Sequence, residues 1–225
     1  FFRTHSQRLH LRTVPSAHSK RRKLALPVSA SIGKAAMTNA DALLSDAEIA
    51  AIAKRIDRPI VLVGMMGVGK STIGRKLAAA IHTPFTDADE EIEAAAKMSI
   101  NEIFERFGEP YFRDGERRVI DRLVGERSGV IATGGGAFCQ DETRNLILRK
   151  AIAVWLDCDT PTLVERVSRK DTRPLLRDGD PFEIISRLKR EREPYYSQAP
   201  IHVLSQASPH QHTVQRILKA IDQWL

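Results

Sequence analysis

The chain carries two hydrophobic rhythms. Pro59-Ile60-Val61-Leu62-Val63 is continuously apolar and β-rich, the pattern of a strand buried on both faces in a parallel sheet. Val130-Ile131-Ala132-Thr133 and Ile152-Ala153-Val154-Trp155-Leu156 repeat it, and Ile201-His202-Val203-Leu204 is a shorter version. A brief apolar stretch, Pro84-Phe85, marks one more strand that ends in acids. Between these runs apolar residues recur at helical spacing, over 70–81, 89–97, 99–107, 111–126, 142–150, 161–169, 181–192 and 213–225. Ahead of the first strand, residues 45–58 place Ile49, Ile52, Ala53 and Ile56 on one helical face. Ser45 and Glu48 form a capping box at the start of that helix. Strand and helix alternate throughout, which predicts a doubly wound α/β fold with ligands where the strands end. Residues 169–181, rich in charge, Gly and Pro, are too polar for core and read as a mobile loop.

Composition changes this picture at one end only. The 225 residues, 42% hydrophobic, can bury a core, and their formal charge of +7 would point to nucleic acid or an anionic membrane if it covered the folded surface. Residues 1–36 hold eight Lys or Arg and no acid, including Lys20-Arg21-Arg22-Lys23. Setting those eight aside leaves 27 basic against 28 acidic residues, so the remainder is nearly neutral. No nucleic-acid partner is expected. The basic leader reads as a transit peptide, a disordered arm, or a translated upstream stretch with the native start at Met37, and the last is the reading adopted. Residues 37–58 are then an N-terminal helical segment and 59–225 the main domain. Two cysteines, Cys139 and Cys158, lack metal-type spacing, and a reducing, cytoplasmic setting is expected. No run reaches the roughly 18 apolar residues of a membrane span, so no membrane partner is expected.

The strongest chemical signal is Gly64-Met65-Met66-Gly67-Val68-Gly69-Lys70-Ser71, which matches G-x-x-x-x-G-K-[ST] between a buried strand and a helix. Glycines let the backbone turn its N–H groups onto phosphate oxygens, and the helix dipole adds positive potential. Lys70 is expected on the β- and γ-phosphates and Ser71 on Mg²⁺. Gly67, Val68, Gly69, Lys70, Ser71 and Thr72 form the ATP-binding stretch. Such a cradle serves switches and transport ATPases too, so the acceptor side needs its own signals.

Asp87 and Asp89 follow Phe85 at the end of the second strand, where an extended chain turns both to one side. One could hold Mg²⁺ through water and the other orient or deprotonate an attacking hydroxyl; alternatively Asp89 only N-caps the next helix. The strand 130–133 lacks a terminal acid, which leaves Asp87 as the carboxylate for Mg²⁺. Arg113 and Glu116, at i,i+3, read either as a surface pair or as an arginine fork aimed at a substrate carboxylate. Gly134-Gly135-Gly136 lets a ligand approach the backbone closely. In the irregular loop, Arg173, stiffened by Pro174 and anchored by Leu175-Leu176, is the residue expected to reach the charge that builds up in transfer.

Together these residues resemble shikimate kinase. The resemblance rests on Gly64–Ser71, on Phe85-x-Asp87-x-Asp89-x-x-Ile92-Glu93, on Tyr111-Phe112-Arg113 with Glu116, and on the glycine triplet. Arg173-Pro174-Leu175-Leu176 and Glu191-Arg192-Glu193-Pro194-Tyr195-Tyr196 complete it. It runs from about residue 60 to the end and is to the compact, single-domain enzymes of bacterial type; Tyr195 departs from it, where the family often has Leu. It implies a three-layer α/β/α P-loop NTPase fold with a parallel five-stranded sheet and a mobile lid, acting as a monomer with ATP and Mg²⁺ on the 3-hydroxyl of shikimate. Asp89, Lys70 and Arg173 would be catalytic. Asp89, Arg113, Gly134, Gly135, Gly136 and Arg192 would bind shikimate, with Glu116 orienting Arg113. Ser71 and Asp87 would hold Mg²⁺, and Arg173 with Arg169 would bind ATP. Arg169 is the expected adenine-stacking residue, with Arg166 as the alternative. A gluconate kinase of the same build, or a nucleotide-binding regulator, are the competing readings.

Overall fold

The computed structural model describes residues 43–126, 129–168, 179–205 and 210–225. Five strands, β1 (Ile60–Val63), β2 (Phe85–Asp87), β3 (Val130–Ala132), β4 (Ile152–Asp157) and β5 (Ile201–Leu204), form one sheet in the order β2-β3-β1-β4-β5. Every pairing is parallel, with Ile60 opposite Val130 on one side and Ile152 on the other. The central strands β1 and β3 are buried at every position, as their unbroken apolar sequence requires. At the edge, β5 buries Ile201 and Val203 and leaves His202 and Leu204 exposed. From β1 the chain crosses to the edge strand β2 and returns to β3 beside β1, and from β3 it crosses to β4 and β5 on the other side. The connections leaving β1 and β3 thus head in opposite directions, and the topological switch point lies at the C-terminal ends of these two strands.

Helices α1 (Asp46–Arg55), α2 (Lys70–Ala80), α3 (Ala88–Ala96), α4 (Ile100–Gly125), α5 (Asp141–Lys150), α6 (Thr160–Ser168), α7 (Pro181–Tyr196) and α8 (His210–Trp224) flank the sheet. The capping box of α1 forms as the sequence suggests, with Ser45 and Glu48 bonding reciprocally. Ser99 and Glu102 make a second one at α4. α1 lies on α8, where Arg55 pairs with Asp222 and Leu44 donates its N–H to Gln215 Oε1 at 2.8 Å. Gly108, at φ 77 and ψ 174, breaks α4 two residues before Pro110, which accounts for the two separate helical patterns read there. α7 runs four residues past the predicted 192 and takes Pro194 into its last turn, where one missing N–H costs little continuity.

The main core is built on the sheet, with Leu62, Ile73, Leu77, Ile120, Phe138, Ile152 and Leu156 among its members. A second, small cluster of Ile92, Ile103 and Phe112 joins α3 to both halves of α4, and Val119 packs against both cores. No helix among the described residues is long and apolar enough to cross a membrane.

Candidate active site

The loop after β1 is pressed against the sheet. A Cβ on Gly64, at φ +132, would stand 2.2 Å from the carbonyl oxygen of Leu156 in β4, so no other residue fits. Gly69, in the left-handed region at φ 99, caps α2, and Lys70 and Ser71 open that helix. The buried Lys70 donates from Nζ to the carbonyls of Gly64 at 2.8 Å and Met65 at 3.0 Å, curling its charge over the loop. The loop's far side is fixed at Val68, whose carbonyl accepts from Arg166 Nη1 and Ser205 Oγ, each at 3.2 Å. Thr72 follows on the exposed side of α2.

Ser71 Oγ donates to Asp87 Oδ2 at 2.6 Å, while Asp87 Oδ1 accepts the backbone N–H of Asp89 at 3.1 Å. Asp87, not Asp89, is therefore the N-cap of α3, which starts one residue earlier than the sequence suggested. The chain already turns helical at Ala88, so the two acids do not share a strand face; Asp89 reaches the site from the first turn of α3. Burial pushes the Asp89 carboxyl above the ordinary carboxylate range, nearby Asp87 adds to this, and Lys70 and Arg113 oppose it.

The glycine triplet lies between β3 and the 3₁₀ turn Ala137–Cys139. None of the three has a positive φ, so backbone conformation does not explain them. Space does. A Cβ on Gly134 would lie 2.9 Å from Asp89 Oδ1 and 3.0 Å from Glu116 Oε1, and one on Gly136 would lie 2.6 Å from Arg113 Nη2. A Cβ on Gly135 would lie 3.2 Å from the amide nitrogen of Met66 and 3.4 Å from Arg192 Nη1. The missing side chains make room for the protein's own acids and arginines around one spot beside the loop.

Arg113 binds Glu116 at 2.7 Å and Glu109 at 3.0 Å. With Glu116 only 1% exposed, this is no surface pair. Burial holds the Glu116 carboxyl above its usual range despite the opposing pull of Arg113. Its Oε1 is buried without a hydrogen-bond partner among the described residues, beside Asp89 and Gly134. From α7, Arg192 Nη1 donates to the Gly135 carbonyl at 3.3 Å.

Set against known proteins, residues 66–222 match the family model described as shikimate kinase. The chain belongs to the shikimate kinase family. A shikimate kinase of Novosphingobium aromaticivorans is 66% identical over 188 residues, which cover 82% of this chain and 97% of that protein. Another, from Caulobacter vibrioides, is 55% identical over 166 residues, 74% of this chain and 83% of the relative. Among solved structures, the Acinetobacter baumannii shikimate kinase in complex with shikimate matches with a TM-score of 0.72 at 34% identity, covering 76% of this chain and 97% of that one. As a member of the family, the chain is an ATP-dependent kinase, a phosphotransferase with an alcohol group as acceptor, that uses ATP with Mg²⁺.

The residues fit both partners of that chemistry. Among the described residues no group of three or more His, Cys, Asp or Glu could hold a metal. The hydroxyl and carboxylate of Ser71 and Asp87 suit Mg²⁺, which takes few protein ligands and keeps waters and phosphate oxygens. Of the residues singled out in the sequence, Asp89, Arg113, Glu116 and Arg192 meet at Gly134–Gly136, while Lys70 folds over the loop after β1 and Ser71 bonds Asp87. Arg173 and Arg169 lie outside the described residues, as do Pro174, Leu175, Leu176 and the leader. Arg166, the alternative to Arg169, sits against the loop at Val68. Sequence reasoning assigned no role to Tyr196, whose buried hydroxyl donates to the Gly135 carbonyl. Its only signal there was a second tyrosine after Pro194.

Proposed function

We propose that this chain transfers the γ-phosphoryl group of ATP to the 3-hydroxyl of shikimate, giving shikimate 3-phosphate and ADP. The observation that carries the acceptor assignment is the gathering of Asp89, Glu116, Arg113 and Arg192 on the glycine triplet beside Lys70. Two cations and two carboxylates around one spot suit a ligand with one carboxylate and several hydroxyls. Arg113, held by Glu116, and Arg192 grip the carboxylate through charge-assisted bonds. Glu116 Oε1 accepts from a ring hydroxyl, which satisfies its unused lone pairs.

The chemistry then needs orientation and charge compensation more than covalent catalysis. Asp89, with its affinity for a proton raised by burial, receives the proton of the attacking hydroxyl as the new oxygen–phosphorus bond forms. The bond from the γ-phosphorus to its bridging oxygen breaks, and the electrons leave on ADP. Lys70 exchanges the carbonyls of Gly64 and Met65 for phosphate oxygens and compensates the charge spread over them. When bound at Ser71 and Asp87, Mg²⁺ neutralises the β- and γ-phosphate charge. Arg173 adds a further positive charge to the transferring group. Arg169 or Arg166 stacks on the adenine. The enzyme acts as a cytoplasmic monomer.

A coupled ADP-release assay against shikimate, gluconate and quinate tests the assignment. ADP release that depends on shikimate and is far weaker with the other two is expected; release with gluconate alone would replace this reading with the gluconate kinase one.

A further inference from the structure

Three parts of the site meet at one peptide, and a residue outside the catalytic set holds it. The Gly135 carbonyl receives two donors, Arg192 Nη1 at 3.3 Å and the hydroxyl of Tyr196. Tyr196 is 1% exposed, and its ring stacks on Trp155 of β4 with centroids 6.0 Å apart. Its hydroxyl also lies 4.0 Å from the sulfur of Met65 in the phosphate loop. The Gly135 peptide itself abuts that loop, since a Cβ there would meet the Met66 nitrogen at 3.2 Å. Burial keeps the hydroxyl protonated, well above the phenol range, so it remains a donor.

We infer that Tyr196 is a positioning residue for the acceptor: its hydroxyl fixes the Gly135 peptide, and through that carbonyl the Arg192 guanidinium, relative to the nucleotide cradle. A carbonyl has two lone pairs and can serve both donors. Without the hydroxyl, one lone pair is left unsatisfied in a buried place, and the peptide can tilt and carry Arg192 with it. The hydroxyl's hydrogen bond goes to the Gly135 carbonyl, and it meets the phosphate loop only by a long contact with the Met65 side chain, so its loss should weigh on the acceptor side far more than on nucleotide binding. The inference rests on the acceptor reading above.

The test is Tyr196→Phe, which keeps the ring and removes one oxygen, alone and combined with Arg192→Lys. Losing one net hydrogen bond should raise the shikimate KM about tenfold, with the ATP KM within about twofold. In the Arg192→Lys background the same change should add less than about twofold, because the group through which Tyr196 acts is already displaced. Trp155→Phe, which alters the packing and keeps the hydroxyl, should leave the shikimate KM near wild type. An unchanged shikimate KM, a parallel rise in both KM values, or effects of Tyr196→Phe and Arg192→Lys that multiply would overturn the inference. So would a Trp155→Phe enzyme as impaired as Tyr196→Phe, since packing alone would then suffice. Failure of the acceptor reading shows separately, as wild-type protein that releases no ADP with shikimate. The same split is then read on the acceptor that the wild type does use.

Discussion

Ser71 Oγ and Asp87 Oδ2 lie 2.6 Å apart, and this contact ties the start of α2 to the start of α3. Asp87 uses its other oxygen to cap that helix. Asp87→Asn keeps a capping oxygen and removes the charge, so the fold should survive while the Mg²⁺ requirement shifts. The Mg²⁺ concentration for half-maximal activity should rise about tenfold or more, read by titrating the metal at fixed ATP. An unchanged titration would remove Asp87 from the metal site.

Asp89 and Lys70 should fail differently. Asp89→Asn keeps the shape and loses the proton acceptor, so kcat should fall by about 10² to 10⁴ while ATP binding, measured by calorimetry, is nearly intact. Lys70→Met removes the cation proposed to serve phosphate in both ground and transition states, so ATP affinity and turnover should fall together. Near-normal turnover in Asp89→Asn would show that this residue is not the base.

Gly136→Ala tests whether the triplet is there for space. The added Cβ would stand 2.6 Å from Arg113 Nη2, so Arg113 must move, and the hold on the substrate carboxylate proposed for it should loosen. Loss of one charge-assisted bond predicts a shikimate KM raised by about tenfold to a hundredfold, with ATP affinity unchanged. Equal loss of both affinities would point to a general disturbance of the loop.

The buried Glu116 carries a pH signature. Its folded value lies above the ordinary 4.5, with burial as the main cause. Between those two values the native state holds a proton that the unfolded chain has released, so stability is lost as pH rises through the window. Glu116→Gln has no such proton. The melting temperature of wild type minus that of Glu116→Gln should therefore decline from about pH 4 upward and level off above the folded value. A difference that grows with pH would reverse the assignment.

How much of this was legible follows from how local each signal is. The phosphate loop is written in consecutive residues, Gly64 to Ser71, and the capping box of α1 in Ser45 and Glu48, so spacing alone revealed both. The alternation of strands and helices gave the parallel sheet for the same reason. Asp87 and Asp89 were found together, but which of them caps α3 depends on a one-residue boundary that pattern does not resolve. Arg113 and Glu116 at i,i+3 look the same in sequence whether exposed or buried, and only the packing of Gly134 and Asp89 against Glu116 decides it. The triplet was read as an opening for ligand; that Arg113, Glu116, Asp89 and Arg192 fill the places of its absent Cβ atoms is a fact of tertiary structure. Tyr196 was missed because its partner, Gly135, is 61 residues away.

The small cluster of Ile92, Ile103 and Phe112 bears on how such an enzyme can diversify. Those three buried side chains join α3, which carries Asp89, to α4, which carries Arg113 and Glu116, and Val119 packs on both this cluster and the sheet's core. Substitutions within the cluster strain first the elements that carry those three residues, and reach the main core through Val119. If the proposed acceptor assignment holds, this cluster is where the chain can change its hydroxylated substrate while the loop after β1 stays held to ATP.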